Sequence, residues 1–134
     1  MNTLTLKSEH GKQYVFDPIR KKYYLYTPEE HVRQILLHYM LHHKQYPKVL
    51  ISVEKKIQVN QKSKRYDIIV YKNDKPWMLV ECKQENEPIQ TETWQQILSY
   101  NTVIKAVFLV VFNGVDMLCF DTQTQEYTQD LPNF

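Results

Sequence analysis

Two apolar segments joined by a short polar turn constrain the fold of this chain more than any other feature of its sequence. Residues 66–71 and 77–83 are rich in aromatic and β-branched side chains, and Asn73, Asp74 and Lys75 lie between them. Segments of this composition favour β-strands, and a turn of this composition joins neighbouring strands. The sequence therefore predicts a β-hairpin in which the beginning of one strand lies beside the end of the next.

The predicted hairpin carries acidic side chains at the two ends that its turn brings together. Asp67 opens the first strand, and Glu81 and Lys83 close the second. Because side chains alternate along a strand, Glu81 and Lys83 are expected on the same face. Two carboxylates and an ammonium group are costly to hold together unless a further charge compensates them, and carboxylate oxygens suit Mg²⁺. The hairpin thus predicts a site for a divalent metal ion at one edge of a sheet.

Two other segments have the pattern of helices. Thr27, Pro28 and Glu30 have the spacing of a capping box with proline at the first helical position, so a helix is expected from residue 28 to about residue 43. A second helix is expected over residues 91–101. The positions expected to face the core are Val32, Ile35, Leu36, Tyr39 and Met40 in the first helix and Trp94, Ile97, Leu98 and Tyr100 in the second.

Short apolar segments predict the remaining strands. Residues 106–112 form a continuous apolar run, as in a strand covered on both faces, and Asn113 and Gly114 give a strong turn signal after it. The other strands are expected at residues 13–16, 22–26, 49–59 and 115–120, with a polar turn at 60–64 and a peripheral polar segment over the last ten residues. In the strand at 49–59 the inward positions are expected at Val49, Ile51 and Val53, with Ile57 as a further candidate.

The order of these elements indicates the fold class. A hairpin, a helix, three strands, a second helix and two strands predict one α/β domain, with a mixed β-sheet flanked by helices and an N-terminal β-hairpin. The chain of 134 residues is long enough for one such domain and too short for two. The expectation is therefore a single domain over residues 1–134.

The charge of the chain permits contact with a polyanion but does not require it. The formal net charge is +2 and the sequence pI is about 8.4, whereas dedicated nucleic-acid-binding domains are often more basic. Two groups of basic residues stand out, and each is most simply a solvated strand edge or loop. The groups are Arg20, Lys21 and Lys22, and then Lys55, Lys56, Lys62, Lys64 and Arg65.

Cysteine use and hydropathy indicate the cellular compartment. Cys82 and Cys119 lack the spacing of a metal-binding pair and suit a reducing environment. Residues 1–10 are polar, and the longest apolar run, at 106–112, is too short to span a bilayer. A soluble cytoplasmic protein with no membrane partner is expected.

The acidic hairpin also carries a family resemblance. Asp67 followed by Glu81-Cys82-Lys83 resembles the D…(D/E)-x-K signature of the PD-(D/E)XK nuclease superfamily. More closely, residues 16–120 resemble the N-terminal nuclease domain of type I restriction enzyme R (HsdR) subunits. The further similar segments are residues 27–34 to the first helix, Arg65-Tyr66-Asp67 to the R-x-D strand, residues 96–101 to the Q-x-x-x-Y motif, and residues 111–114 to the closing strand and its turn.

The resemblance implies a metal centre at the hairpin. Asp67 and Glu81 would bind Mg²⁺, with Mn²⁺ as a substitute, and the main-chain carbonyl of Cys82 would be a further ligand while its side chain faces the core. An acidic residue of the first helix can join this site. Glu30 is the better candidate and Glu29 the lesser, although helix capping alone also explains Glu30.

The resemblance further implies a metal-dependent deoxyribonuclease. Lys83 would orient or activate the attacking water and stabilise the transition state. Gln96 and Tyr100, one helical turn apart, would position Lys83 or a DNA phosphate, unless they serve only in packing and capping. Glu54 is expected to be an exposed strand residue rather than a ligand.

The chain lacks one feature of full R subunits, which continue into an ATP-driven DNA translocase. No G-x-x-x-x-G-K-[ST] phosphate loop is present, so no ATP binding is expected. The expected partners are DNA and either a second copy of the chain or subunits of a restriction complex. The alternative to a nuclease is a catalytically silent module of the same fold that binds DNA or protein in a restriction or repair complex.

Overall fold

The computed structural model describes residues 4–54 and 56–134, which form eleven strands and two α-helices. The strands are β1 (Leu6–Glu9), β2 (Lys12–Asp17), β3 (Lys22–Leu25), β4 (Ile51–Val53), β5 (Lys56–Val59), β6 (Lys62–Arg65), β7 (Ile68–Lys72), β8 (Lys75–Cys82), β9 (Phe108–Phe112), β10 (Met117–Asp121) and β11 (Glu126–Thr128). The helices are α1 (Pro28–His38) and α2 (Thr91–Ile104).

A six-stranded mixed sheet forms the centre of the fold, in the order β11-β10-β9-β8-β7-β4. β8 and β9 run parallel and are joined through α2, whereas the other neighbouring pairs are antiparallel. β1, β2 and β3 form a separate antiparallel sheet, and β5 pairs only with β6. The prediction of a mixed sheet with two helices and an N-terminal hairpin is confirmed, and β1 extends that hairpin by one strand.

The two helices cover opposite faces of the central sheet. Alternation along β7 to β9 sends one set of apolar side chains towards α1 and the other towards α2. The core on the α1 side includes Val32, Leu36, Leu37, Met40, Ile68, Val70, Met78, Val80, Cys82 and Val110. The core on the α2 side includes Val59, Tyr66, Ile69, Leu79, Ile97, Tyr100, Leu109 and Val111. The expected burial of β9 on both faces and of the Cys82 side chain in the core is confirmed.

Helix α1 begins where the capping residues predict. Thr27 is extended, and its hydroxyl oxygen accepts a hydrogen bond from the backbone N–H of Glu30 at 3.1 Å. The α-helix ends at His38 and continues as one wider π-helical turn over Tyr39–His43. The helical segment therefore has the expected length, with a change of geometry in its last turn.

The predicted hairpin of β7 and β8 is present. Asn73 and Asp74 both have positive φ, at 54° and 62°, and Lys72 pairs with Lys75 across the turn. Two consecutive left-handed residues define a type I′ turn, which matches the twist of antiparallel strands. The turn fixes the register that brings the beginning of β7 to the end of β8.

The single strand predicted at residues 49–59 is wrong. Val49 lies in a 3₁₀ turn and is 91% exposed, whereas Ile51 and Val53 in β4 are buried as expected. The chain turns at Glu54, where φ is 51°, so β5 leaves the central sheet and pairs with β6. The predicted polar turn at 60–64 is reduced to Asn60 and Gln61. The basic residue Lys55 and the side chain of Ile57 lie outside the described residues.

Two further predictions concern α2 and the end of the chain. Leu98, expected in the core, is 49% exposed, because Ile97 and Tyr100 already fill the face of α2 that contacts the sheet. The last residues are not peripheral, since β11 extends the sheet and Leu131 is 3% exposed. Phe134 packs edge-on against Trp77 at 5.2 Å between ring centroids.

In the described part of the chain, none of the helices has the length and apolarity required to cross a membrane.

Candidate active site

The acidic residues of the hairpin lie together where β7 begins and β8 ends, at one end of the central sheet (the sheet edge). Ile68 pairs with Val80 at this end of the β7–β8 ladder, so Asp67 and Glu81 each lie one residue beyond that pair. The backbone N–H of Cys82 donates to Oδ2 of Asp67 at 2.8 Å, which fixes one carboxylate against the end of β8. The structure thus brings together Asp67 and Glu81, as the turn predicts.

The surroundings of Glu81 disfavour the negatively charged form of its side chain. Burial, followed by the negative charge of Asp67, raises the pKa of Glu81 to about 8, and Lys83 acts in the opposite direction. The Nζ atom of Lys83 lies 3.8 Å from Oε1 of Glu81, and the Lys83 side chain keeps 26% of its surface exposed. One ammonium group at this distance therefore compensates only part of the negative charge.

An arginine of α1 occupies the other side of Asp67. The Nη2 atom of Arg33 donates to Oδ1 of Asp67 at 2.7 Å, and Nη1 donates to Oε1 of Glu30 at 2.7 Å. The Arg33 side chain is only 4% exposed. Burial lowers the pKa of Arg33, but Asp67 and Glu30 outweigh that effect and raise the pKa above its usual value. Arg33 remains charged and holds Asp67 in one orientation.

The two candidate carboxylates of α1 have different surroundings, and their expected order as metal ligands stays a prediction. Oε1 of Glu30 accepts hydrogen bonds from Arg20 and Arg33. Oε2 of Glu30 accepts from Arg20 and from Gln34, the latter at 3.1 Å. Glu30 is therefore committed to protein donors. Glu29 is about half exposed, and burial and the negative charge of Asp67 raise its pKa. The negative charges of Glu29 and Asp67 therefore repel each other.

A buried ion network, which the sequence reading missed, supports this edge. Arg20 donates from Nε to Asp17 at 2.8 Å, and its guanidinium stacks on Tyr24 at 3.5 Å from the ring centroid. Asp17 is fully buried. Glu54, expected to be exposed, is half-buried and accepts from Arg33 at 3.0 Å. The available signals were Arg33 three residues after Glu30 and the Asp17-Pro18 turn beside Arg20.

Gln96 and Tyr100 form a pair within α2. The Nε2 atom of Gln96 donates to the hydroxyl of Tyr100 at 2.7 Å, and Tyr100 is 6% exposed in the core on the α2 side. Among the described residues, neither side chain forms a hydrogen bond with Asp67, Glu81 or Lys83. The structure therefore joins the two residues of the motif to each other but not to the acidic pair.

The donor set at the sheet edge limits how a metal ion could bind. In the portion of the chain that the structure describes, no three His, Cys, Asp or Glu side chains are grouped closely enough to hold a metal ion. Asp67 and Glu81 still provide two adjacent carboxyl groups, of which Asp67 is paired with Arg33 at 2.7 Å and Glu81 with Lys83 at 3.8 Å. Mg²⁺ commonly uses one or two protein carboxylates and completes its coordination with water and phosphate. The pair fits an ion of this kind, with the Arg33 contact to Asp67 as the competing interaction.

A large apolar groove lies elsewhere in the molecule. It has a volume of about 700 Å³ and is lined by α1, the segment before α2 and β10, including Ile35, Tyr39, Ile89 and Met117. None of the acidic pair or Lys83 lines this groove. The acidic pair instead lies where β7 begins and β8 ends, where both acidic residues are buried and the side chain of Lys83 is partly exposed.

Comparison with known proteins identifies relatives of the chain. The family profile described as type I restriction enzyme R protein N terminus (HSDR_N) matches residues 28–134. A fragment assigned as the HsdR subunit of a type I restriction enzyme from Vibrio vulnificus YJ016 has a similar structure, with a TM-score of 0.50 and 28% sequence identity. The match covers 63% of this chain and 18% of that chain, so the similar part is less than a fifth of the solved fragment.

No curated protein matches the sequence. The family match nevertheless covers all of the structure from α1 to the last residue, including the acidic pair. The mixed sheet with two helices is likewise similar to the HsdR fragment. Because the family profile matches residues 28–134, the chain belongs to the family of type I restriction enzyme R protein N termini.

Proposed function

We propose that this chain is a divalent-metal-dependent deoxyribonuclease domain with a PD-(D/E)XK arrangement. The observation that carries the proposal is the meeting of Asp67 and Glu81 at adjoining strand ends, with Lys83 3.8 Å from Glu81. Membership of the restriction enzyme R family supports this role. The proposed unit is one domain, with its core at residues 16–120.

Asp67, Glu81 and the main-chain carbonyl of Cys82 would hold Mg²⁺ or Mn²⁺, and Glu29 is an α1 carboxylate whose charge interacts with both acidic residues. When bound, such an ion lowers the pKa of a coordinated water and neutralises charge on the scissile phosphate. Lys83 has a donor that is free to turn towards the phosphate, because its side chain is partly exposed. Arg33 donates to Asp67 and so fixes the orientation of its carboxylate.

The roles of the chain's own residues follow from charge. Hydrolysis of a phosphodiester places additional negative charge on the phosphoryl oxygens, and the nearby ammonium group of Lys83 would stabilise it. Gln96 and Tyr100 lie on α2 and are proposed to position a phosphate group. Residues 1–134 contain no phosphate loop, so no ATP-driven movement along DNA is proposed for this domain.

Cleavage assays with the purified chain test this function. Linear, supercoiled and branched DNA are incubated with Mg²⁺ or Mn²⁺ over a concentration series, and in excess chelator. The near-isosteric variants Asp67→Asn, Glu81→Gln and Lys83→Met are expected to lower the cleavage rate on the order of 10²- to 10³-fold, as is usual when one group stabilising the transition state is removed.

Matched controls separate the site from general effects of charge. Glu87 and Lys75 are exposed, so Glu87→Gln and Lys75→Met remove the same charges away from the acidic pair and should leave the rate unchanged. Cleavage that persists in chelator, or in both Asp67→Asn and Lys83→Met, would show that the proposed site is not responsible.

One observation favours a second candidate, a silent binding module that keeps the nuclease fold. Arg33 already donates to Oδ1 of Asp67 at 2.7 Å, so its guanidinium competes with a metal ion for this carboxylate. A silent module would bind DNA or protein without metal, and Lys83→Met would leave its binding affinity unchanged. Metal-dependent cleavage by the purified chain would exclude this alternative.

A further inference from the structure

The strongest charged feature outside the acidic pair is the basic hairpin, defined as residues 56–65 with strands β5 and β6. Asn60 and Gln61 form its turn, with φ of 51° and 65°. Glu54 precedes the hairpin and Asp67 follows it. The backbone N–H of Glu54 donates to the carbonyl oxygen of Asp67 at 3.0 Å. Both ends of the basic hairpin are therefore fixed at the edge of the sheet where the acidic pair lies.

The basic hairpin concentrates the positive charge of the chain. Its cations are Lys56, Lys62, Lys64 and Arg65, and all four are exposed. Residues 56–66 contain no Asp or Glu. Of the 17 Lys and Arg residues, 13 remain elsewhere against 15 Asp and Glu, so the rest of the chain has a net charge of −2. The small overall charge therefore conceals a local cationic segment.

The cations of the basic hairpin are not compensated by the protein. Lys56 pairs directly with Arg65 across the two strands, and like charges in this position repel each other. Arg65 approaches Glu54 at 3.7 Å, but among the described residues Lys56, Lys62 and Lys64 have no acidic partner within ion-pair distance. An external anion would relieve the repulsion that the fold leaves in place.

The turn end of the basic hairpin packs in the same core as α2. Val59 is 5% exposed and packs in the same core as Tyr66, Ile97 and Tyr100. Lys62 pairs with Val59, so its side chain leaves the hairpin on this same face. The cations thus project from a strand pair that is anchored beside both the acidic pair and the motif on α2.

We propose that the basic hairpin binds the phosphate backbone of duplex DNA and directs it to the edge of the sheet that carries Asp67 and Glu81. A two-stranded ribbon has the width of the major groove, and lysine and arginine gain affinity by releasing counterions from phosphates. The directing role depends on the proposed function, whereas the binding role does not.

The test measures binding separately from cleavage. Binding of the purified full chain to a fluorescent DNA duplex is followed by anisotropy in chelator, at several salt concentrations from 50 to 200 mM. The double variant Lys62→Gln/Lys64→Gln is compared with Lys75→Gln/Lys105→Gln. Both control residues are exposed: Lys75 begins β8, about 20 Å along the strand from Glu81, and Lys105 follows the last residue of α2.

Loss of two phosphate contacts is expected to reduce the slope of log affinity against log salt by about 1.8, and to weaken binding roughly 60-fold at 0.1 M salt. The control pair should keep the slope of the wild-type chain, and thermal melting should show that both double variants are folded. Equal slopes for the wild-type chain and the hairpin variant would overturn the inference, as would absence of DNA binding by the wild-type chain.

The two proposals can fail independently. If the wild-type chain cleaves DNA with metal but the hairpin variant keeps the full slope, the nuclease stands and the binding role of the basic hairpin is wrong. If the hairpin variant loses the slope but no metal produces cleavage, the binding role stands and the nuclease is wrong.

Discussion

Replacing Arg33 by methionine should destabilise the fold strongly. The substitution keeps most of the side-chain volume but removes the cation that contacts Asp67 and Glu30 at 2.7 Å each and Glu54 at 3.0 Å. Because Arg33 is 4% exposed, its partners would be left with uncompensated buried charge. Breaking a buried ion pair from one side costs about 3–5 kcal/mol.

The magnitude translates into a measurable shift in melting temperature. An unfolding entropy of about 2.1 cal/mol/K per residue gives about 3.6 °C per kcal/mol for a chain of this length, so Arg33→Met should lower Tm by about 11–18 °C. Urea unfolding, followed by circular dichroism at neutral pH, should give the same loss of free energy without a change in the denaturant slope.

Arg65→Met is the matched control for this prediction. Arg65 also faces Glu54, but at 3.7 Å and with 59% of its side chain exposed. An exposed ion pair of this kind contributes about 0–1 kcal/mol. If Arg33→Met and Arg65→Met lower the free energy of unfolding equally, the buried network does not stabilise the sheet edge in the way described.

Three further predictions concern the acidic pair and the cap of α1. In chelator, Glu81→Gln should stabilise the chain more at pH 8.5 than at pH 5. In the folded state the pKa of Glu81 is raised to about 8, so the folded chain keeps a proton that the unfolded chain loses at lower pH. The stability of the wild-type chain therefore falls as pH rises between the unfolded and the folded pKa. Thermal melts that show an equal effect of Glu81→Gln at both pH values would contradict this. Addition of Mg²⁺ at ten times its dissociation constant should raise the free energy of unfolding by about 1.4 kcal/mol, and calorimetry should show no such gain for Asp67→Asn. Thr27→Ala should cost about 1 kcal/mol in urea unfolding because it removes the acceptor of the Glu30 N–H, whereas Thr27→Ser should be nearly neutral.

The parts of the fold that the sequence predicts well depend on neighbouring residues. The turn at Asn73 and Asp74 requires two left-handed residues in succession, and these residue types tolerate that backbone conformation. The apolar run in β9 is buried on both faces because a helix covers each face of the sheet. In both cases the cause of the structure lies within a few residues of its effect.

The ion network could not be read from any local pattern. Arg33 contacts Asp67 across 34 positions of sequence, and Arg20 contacts Glu54 across the same separation. A buried arginine on a helix has the same spacing as a solvated one, so only the packing of α1 on the sheet distinguishes them. For the same reason the sequence does not show that Glu30 accepts from Arg20 and Arg33.

The turn at Glu54 was also hidden from the sequence. Residues 49–59 contain enough apolar positions for one strand, but the contacts of Glu54 with Arg33 and Arg20 accompany a left-handed backbone there. The placement of Asp67 and Glu81, in contrast, follows directly from the register of the hairpin. Their binding of metal stays a prediction.

The last residues of the chain take part in the core built by the earlier ones. The hydroxyl of Tyr46 donates to the carbonyl of Pro132 at 2.6 Å, and Phe134 contacts both Tyr46 and Trp77. A polypeptide still emerging from the ribosome would therefore hold Trp77 without these neighbours until residues 131–134 have left the exit tunnel. Loss of residues 131–134 should loosen this corner as a unit with the sheet.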